Sequence, residues 1–374
     1  MTRLHPAAPS AAQGVWLVAE REIGSRLHSK AFVISTLILF AIALGGVIWG
    51  GFAAKNVSDT KVAVTAETAT VVAGLPGLEV TTAATTDAAL AAVRDGDVKA
   101  AIVPSADVPG AAASTSPFPY TVVGDQDVPQ SLVAQLSATP QVHLLDPPST
   151  DGMLRYFAAI GFGVVFLMAA STFGGTIAQS VVEEKQTRVV ELLISAIPVR
   201  VLLAGKVIGN TILAMAQILV LAAIAIVGLS ITGQDAVLTG LGAPIVWFAV
   251  FFLFGFILLA SLFAAAGSMV SRQEDIGSTT FPLTMLVMLP YFLVIFFNDN
   301  PVVLAVMSYV PFSAPVAMPL RLYLGTAQVW EPIVALIVLI ATCVGAVLVG
   351  ARIYQNTLLR MGARVKLSEA LSRA

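Results

Sequence analysis

The residues of this sequence with side chains and spacing suited to chemistry gather in one stretch, Val182 to Gly209, the only long charged helical pattern between two strongly apolar runs. Glu184, Arg188, Glu191 and Ser195 recur at i, i+4, i+7 and i+11, which is one polar helix face, while Val182, Val189 and Leu193 fall on another. Glu184 precedes Arg188 by four residues, the favourable order for a helical ion pair. Pro198 cannot continue that helix but suits the first turn of a new one, so a short second helix is expected from about Val199. The spacing predicts an elbow of two helices at a membrane surface. The chemistry it offers is docking through ion pairs; the bland alternative is an interfacial helix whose charges merely face water. Catalysis has little to work with. The apolar runs hold no paired Asp, His cluster or H-E-x-x-H motif, and Gly205-Lys206 lacks both the glycine five residues earlier and the Ser/Thr that a phosphate-binding loop needs. His143 is a lone histidine expected to be solvated, and Cys343, the single cysteine, lies inside an apolar run as a small buried filler.

Polar side chains inside the apolar runs are candidates for a transport path: Ser171, Thr172, Thr176 and Gln179 in one run, Asn210 and Gln217 in the next, with Ser261 and Ser268 in a third. Hydrogen bonding between helices is the competing role for each. No acidic residue lies deep in a run, which argues against a buried carboxylate cage or a proton relay. Gly161, Gly163, Gly174 and Gly175 would let another helix approach closely.

The elements that must carry these residues follow from composition. Of the 374 residues 57% are hydrophobic and 11% charged, with a mean hydropathy of +0.89 and a net charge of -2. A soluble domain carries about 25% charged residues, so the chain reads as an α-helical polytopic membrane protein. In order, residues 1–30 form a cytoplasmic N-terminal amphipathic helix, with Trp16, Ile23 and Leu27 at helical spacing against Glu20, Arg21, Glu22 and Arg26. Residues 31–52 are a first transmembrane helix rather than a cleaved signal peptide, since the run matches a full span of about 20 residues. Residues 53–152 form a small α/β extracytoplasmic domain: from Lys55 to Asp151 eleven acidic residues stand against four basic ones, with no run long enough to span. Strands are expected at Lys61–Ala66, Val98–Val103 and Tyr120–Val123, helices at Asp87–Arg94 and Val128–Leu136, and a loop over Val108–Pro119. Residues 153–354 hold five further spans, at about Tyr156–Val181, Val207–Ile231, Ala243–Val270, Gly277–Phe297 and Pro332–Ile353, and 355–374 are a cytoplasmic tail.

Fourteen of the 20 basic residues then fall on one side, in the N-terminal segment, the elbow, the loop at Arg272 and the tail, so that both termini and the elbow are expected in the cytoplasm of a multi-pass cell-membrane protein. Pro301 to Leu320 is apolar enough for a seventh span, but Pro311, Pro315 and Pro319 should interrupt it, and a seventh span would place the basic tail outside. A re-entrant segment at 299–328, two short helices dipping into the outer leaflet, is expected instead.

The elbow resembles the cytoplasmic segment of ABC-2 type transporter permeases, especially the sodium-extrusion (NatB-like) subfamily, through Glu183, Glu184, Lys185, Arg188, Glu191, Leu193, Pro198, Gly205 and Lys206. Tyr309 to Pro315 followed by Met318-Pro319-Leu320-Arg321 is similar to the outer re-entrant segment of that subfamily, and Arg352-Ile353-Tyr354 with Leu367 to Leu371 is similar to its tail. The resemblance implies a transmembrane permease subunit of an ATP-driven exporter, with the elbow (182–206) as the coupling helix and Glu183, Glu184, Lys185, Arg188, Glu191, Ser195 and Pro198 facing a separate ATPase subunit. It implies ATP and Mg on that partner and no cofactor on this chain. A second permease subunit, identical or not, and membrane lipid complete the implied partners, with no nucleic acid. A membrane-anchored sensor or scaffold with a ligand-binding outer domain is the alternative reading.

Overall fold

The computed structural model describes residues 10–55, 60–75, 77–108, 118–125, 128–136, 152–360 and 365–372, and divides into two compact units, Met1–Ile48 with Pro148–Ala374, and Trp49–Pro147. The chain opens with α1 (Ala11–Leu27), started by a capping box in which Ser10 and Gln13 each accept from the other's backbone N–H. Only His28 and Ser29 separate it from α2 (Lys30–Lys55). Trp16 and Leu27 of α1 are exposed, as an interfacial helix requires, but the opposite face is not polar and free: Gly14, Val18, Ala19 and Glu22 are buried against the protein.

The second unit is a four-stranded sheet. Its elements are β1 (Thr60–Val64), α3 (Ala69–Val72), β2 (Leu78–Thr82), α4 (Thr86–Arg94), β3 (Ala100–Pro104), β4 (Tyr120–Val123) and α5 (Gln130–Leu136). The order is β2-β1-β3-β4, with β1 parallel to both neighbours and β4 antiparallel to β3. Parallel central strands need cover on both faces. Val62, Val64 and Ile102 pack with Val72 and Leu132 on one side, and Ala63, Ala101 and Val103 with Ala89 and Val93 on the other. The sequence reading missed β2 and α3. His143 and most of the expected loop at Val108–Pro119 lie outside the described residues.

The remaining helices are α6 (Gly152–Gln186), α7 (Val189–Ala196), α8 (Val199–Ile231), α9 (Asp235–Ser268), α10 (Ile276–Phe296), α11 (Pro301–Tyr309), α12 (Ala314–Tyr323), α13 (Glu331–Thr357) and α14 (Leu367–Leu371). Among the described residues six helices are long and apolar enough to cross a membrane: those at Lys30–Phe52, Arg155–Gln186, Val199–Ile231, Gly240–Ser268, Gln273–Phe296 and Glu331–Thr357. α11 and α12, at about 1.5 Å per residue, are each about half the length of a span. Asn300 caps α11 through Val302 and Val303 N–H, and Pro311 falls in the link. Pro319 does not interrupt as expected; it sits inside α12, whose residues Ala314 to Arg321 are all buried. Arg321 fixes this pair to α13 by donating to Glu331, to Ser308 Oγ at 2.9 Å and to the Thr326 carbonyl at 3.1 Å.

The helical unit is centred on α9. Phe248, Phe252 and Phe256 form a ladder at four-residue spacing whose rings meet Phe162, Phe166 and Phe173 of α6, with centroids 5.1, 5.8 and 5.8 Å apart, the last two pairs edge to face. Of the four α6 glycines at 161, 163, 174 and 175, Gly163 receives the Tyr291 ring and Gly174 the Phe263 ring, both from this chain, whereas Gly161 and Gly175 face open space.

Candidate functional site

The structure corrects the elbow at its centre. α6 ends at Gln186, and Arg188 takes a left-handed conformation, φ 58° and ψ 10°, the only positive φ at a non-glycine among the described residues. The single helix expected from Val182 to Ser195 is therefore split, and the expected Glu184–Arg188 pair is not made. The turn puts the predicted coupling residues into two environments. Glu183, Arg188, Glu191, Ser195 and Pro198 are exposed, together with Leu192, which is 73% exposed; Glu184 and Lys185 are buried. Pro198 is the extended N-cap of α8, which begins at Val199 as expected, but α8 is not a short helix: it runs unbroken into the next span.

Glu184 belongs instead to a buried ionic cluster that draws three helices together. Lys206 Nζ of α8 lies 2.7 Å from Glu22 Oε1 of α1, 2.8 Å from Ser180 Oγ and 3.0 Å from Glu184 Oε2 of α6, while Arg21 donates to Glu184 Oε1 at 2.9 Å. The approach to Glu184 Oε2 has ion-pair distance without hydrogen-bond alignment, because the ammonium points at Glu22 and Ser180. Lys206 is 1% exposed. Two carboxylates and two cations cancel, which is what makes the burial of Lys206, Glu22 and Glu184 tenable, while Arg21 stays half-exposed.

Local sequence explains how α1 comes so close. A Cβ on Gly205 would stand 2.8 Å from the Val15 carbonyl, and one on Gly209 2.8 Å from that of Ala19. The Gly205-x-x-x-Gly209 face thus seats α1 on α8 backbone to backbone, and Lys206, beside the first glycine, meets Glu22. Sequence reasoning missed both this contact and Glu22; the signal available was a lysine inside a small-x-x-x-small spacing.

Lys185 is held differently. Its ammonium donates to the Ser268 carbonyl at 2.8 Å and the Thr357 carbonyl at 3.0 Å, at the C-terminal ends of α9 and α13, and the Ser268 and Thr357 hydroxyls lie 2.7 Å apart. A cation at two helix C-termini complements both dipoles.

Of the proposed path residues, Thr176 and Gln179 line a polar cleft of about 520 Å3 between α1 and the end of α6, alongside Arg21, Arg26, Glu183 and Glu184. Arg26 donates to the Thr176 carbonyl at 2.9 Å; burial holds its guanidinium below the ordinary value, opposed by Glu22 and Glu183. Ser171, Thr172 and Gln179 are exposed along one face of α6. Asn210 is fully buried, its Nδ2 donating to the Lys206 carbonyl, and Gln217 is half-buried, so the six do not form one surface.

Six apolar helices with a charged bend between two of them define a multi-pass membrane protein. The family model described as ABC-2 family transporter protein matches residues 30–352, and the chain belongs to that family. It is similar to the uncharacterized protein YhaP of Bacillus subtilis, 28% identical over 218 residues, covering 54% of this chain and 52% of the relative. It is also similar to the uncharacterized protein MJ1024 of Methanocaldococcus jannaschii, 27% identical over 207 residues, covering 55% of this chain and 50% of the relative. The chain thus spans about half the length of the curated relatives it matches. No solved structure matches.

Proposed function

We propose that this chain is the transmembrane permease subunit of an ATP-binding cassette exporter, moving an ion, drug or amphipathic solute outward. A separate subunit would bind ATP with Mg and hydrolyse it. The observation that carries the reading is α7: an exposed helix presenting Arg188, Glu191, Leu192 and Ser195, set by a left-handed turn against a buried ionic cluster at the ends of two spans. Force applied to α7 would pass into α6 and α8 through that cluster. In this reading the docking surface comprises Arg188, Glu191, Ser195 and Pro198, while Glu183, which lines the cleft beside α1, and the buried Glu184 and Lys185 do not touch the partner. The resemblance of the elbow and re-entrant motifs supports the sodium-extrusion type as the nearest functional analogue.

The exposed Ser171 and Thr172 support a second permease subunit, since polar groups on a span facing lipid are costly and a partner helix or a solute path would cover them. Both termini and α7 would be cytoplasmic and the Trp49–Pro147 unit extracytoplasmic, in line with the basic-residue bias. The test is to co-express Arg188→Glu with the ATPase subunit, verify membrane insertion, and measure co-purification and substrate-stimulated hydrolysis. A charge reversed at a desolvated interface costs several kcal/mol, against ~0.3–0.5 kcal/mol for an exposed helical pair. Wild-type values for both measurements would overturn the coupling role.

A further inference from the structure

The cleft between α1 and the end of α6 is polar, and its size lies within the range of small-molecule sites. Its charges are balanced: Arg21, Arg26 and neighbouring Lys206 stand against Glu22, Glu183 and Glu184. They are not equally committed. Lys206, Glu22, Glu184 and Arg21 engage one another, whereas the Glu183 carboxylate accepts no hydrogen bond among the described residues and Arg26 uses one guanidinium nitrogen, on the Thr176 carbonyl. A neutral site therefore retains a carboxylate and a guanidinium that attract one another through space but share no hydrogen bond among the described residues, each with bonding capacity to spare.

Its depth in the bilayer follows from helix lengths. The α6 span, Arg155–Gln186, has 32 residues. At about 1.5 Å per residue it runs about 48 Å, well beyond the ~30 Å hydrocarbon core, so its ends cross the headgroup layer. The cleft occupies one such end, and α1 is tied to the edge of another span by two residues. We propose that the cleft holds the headgroup of one phosphatidylethanolamine-type lipid. The phosphate lies on the free face of the Arg26 guanidinium and Ser25, and the primary ammonium donates to Glu183. A choline headgroup has no N–H to give Glu183. An anionic headgroup would bring net charge into a site already balanced.

The lipid-retention measurements use the full chain alone, without an ATPase subunit, so their outcome is independent of the exporter reading. Native mass spectrometry of the detergent-purified protein with added phosphatidylethanolamine, phosphatidylcholine or phosphatidylglycerol should show one ethanolamine lipid retained with about tenfold preference over choline, the worth of one charge-assisted hydrogen bond. Glu183→Gln, at an exposed position, should abolish that preference with the thermal midpoint unchanged, and Arg26→Gln should weaken retention of both zwitterionic lipids. Equal retention of the ethanolamine and choline lipids, stronger retention of phosphatidylglycerol, or a preference that survives Glu183→Gln would overturn the proposal. Displacement by free phosphoethanolamine at matched concentration would overturn the lipid assignment. So would a photoreactive side chain at Ser25 that, in membranes carrying both subunits, captures the ATPase subunit rather than lipid.

Discussion

Lys206 and Arg188 show how differently two basic residues in one charged stretch can be used. Lys206→Met removes the cation between Glu22 and Glu184 while keeping the side-chain volume, leaving two carboxylates poorly compensated in a dry site; a loss of about 3–5 kcal/mol is expected. Thermal unfolding in mild detergent reads this directly, and a variant that melts with the wild type would show that the cluster carries no stability. Arg188→Gly relieves the left-handed strain and should stabilise the α6–α7 turn by about 1 kcal/mol, whereas Arg188→Val should destabilise it by at least as much. If glycine destabilises by the same measurement, the positive φ is not intrinsic to the turn. The sequence displayed the charges of this stretch but not their burial. Glu184 and Arg188 stand at perfect helical spacing, and nothing local announces that one residue between them leaves the helix. The partner that buries Glu184 and Lys206 is Glu22, more than 150 residues away and apparently solvated on its own helix.

Among the elements, long apolar runs were legible because a span must satisfy its backbone internally and so needs a continuous helix of set length. All six appear, five of them within about five residues of the expected bounds, whereas the third starts eight residues early, at Val199, because the short helix expected there is continuous with it. What the runs did not reveal was the inner face of α1. Trp16 and Leu27 drew attention to the outer side, while the face that holds the protein together uses Gly14, Val18, Ala19 and Glu22, whose small and charged members break up any continuous apolar stripe. β2 was missed for a different reason: it is an edge strand, exposed along most of its length, and its Leu78-Glu79-Val80-Thr81 alternation is only four residues long. The glycine seat gives a prediction at this scale. Gly209→Leu should push α1 off α8, raising hydrogen exchange across Val15–Arg26 while α9 and α13 remain protected. Unchanged exchange in α1 would mean that the close approach is not what holds it.

For the molecule as a whole, the division at Trp49 and Pro147 predicts that the sheet-bearing unit folds by itself. Replacing Ser58–Pro148 by a short linker should leave ATPase co-purification at wild-type level, and its loss would refute a separation of roles. Topology is open to a direct check: a cysteine at Asp97 should react with impermeant reagents on intact cells and one at Gln186 should not. The reverse pattern would invert the assignment of sides. Composition sufficed to class the molecule, and ordered motifs sufficed to place it in a family. The cargo was not legible, because the polar residues inside the spans gather on no single surface of one chain.

The aromatic ladder between α6 and α9 also behaves as a vernier. Its teeth repeat every four residues on α9, at Phe248, Phe252 and Phe256, but are spaced by four and then seven on α6, at Phe162, Phe166 and Phe173. A slide of one helical turn, about 5.4 Å, would seat Phe252 on Phe162 and Phe256 on Phe166, recovering two of the three ring pairs, whereas half a turn recovers none. Relative motion of these helices would then proceed in whole clicks, with the intermediate positions emptied by steric mismatch. Cysteine pairs placed for the resting and the shifted register should each cross-link, in proportions that change with nucleotide state; a smooth continuum of cross-linking between them would show that the helices glide.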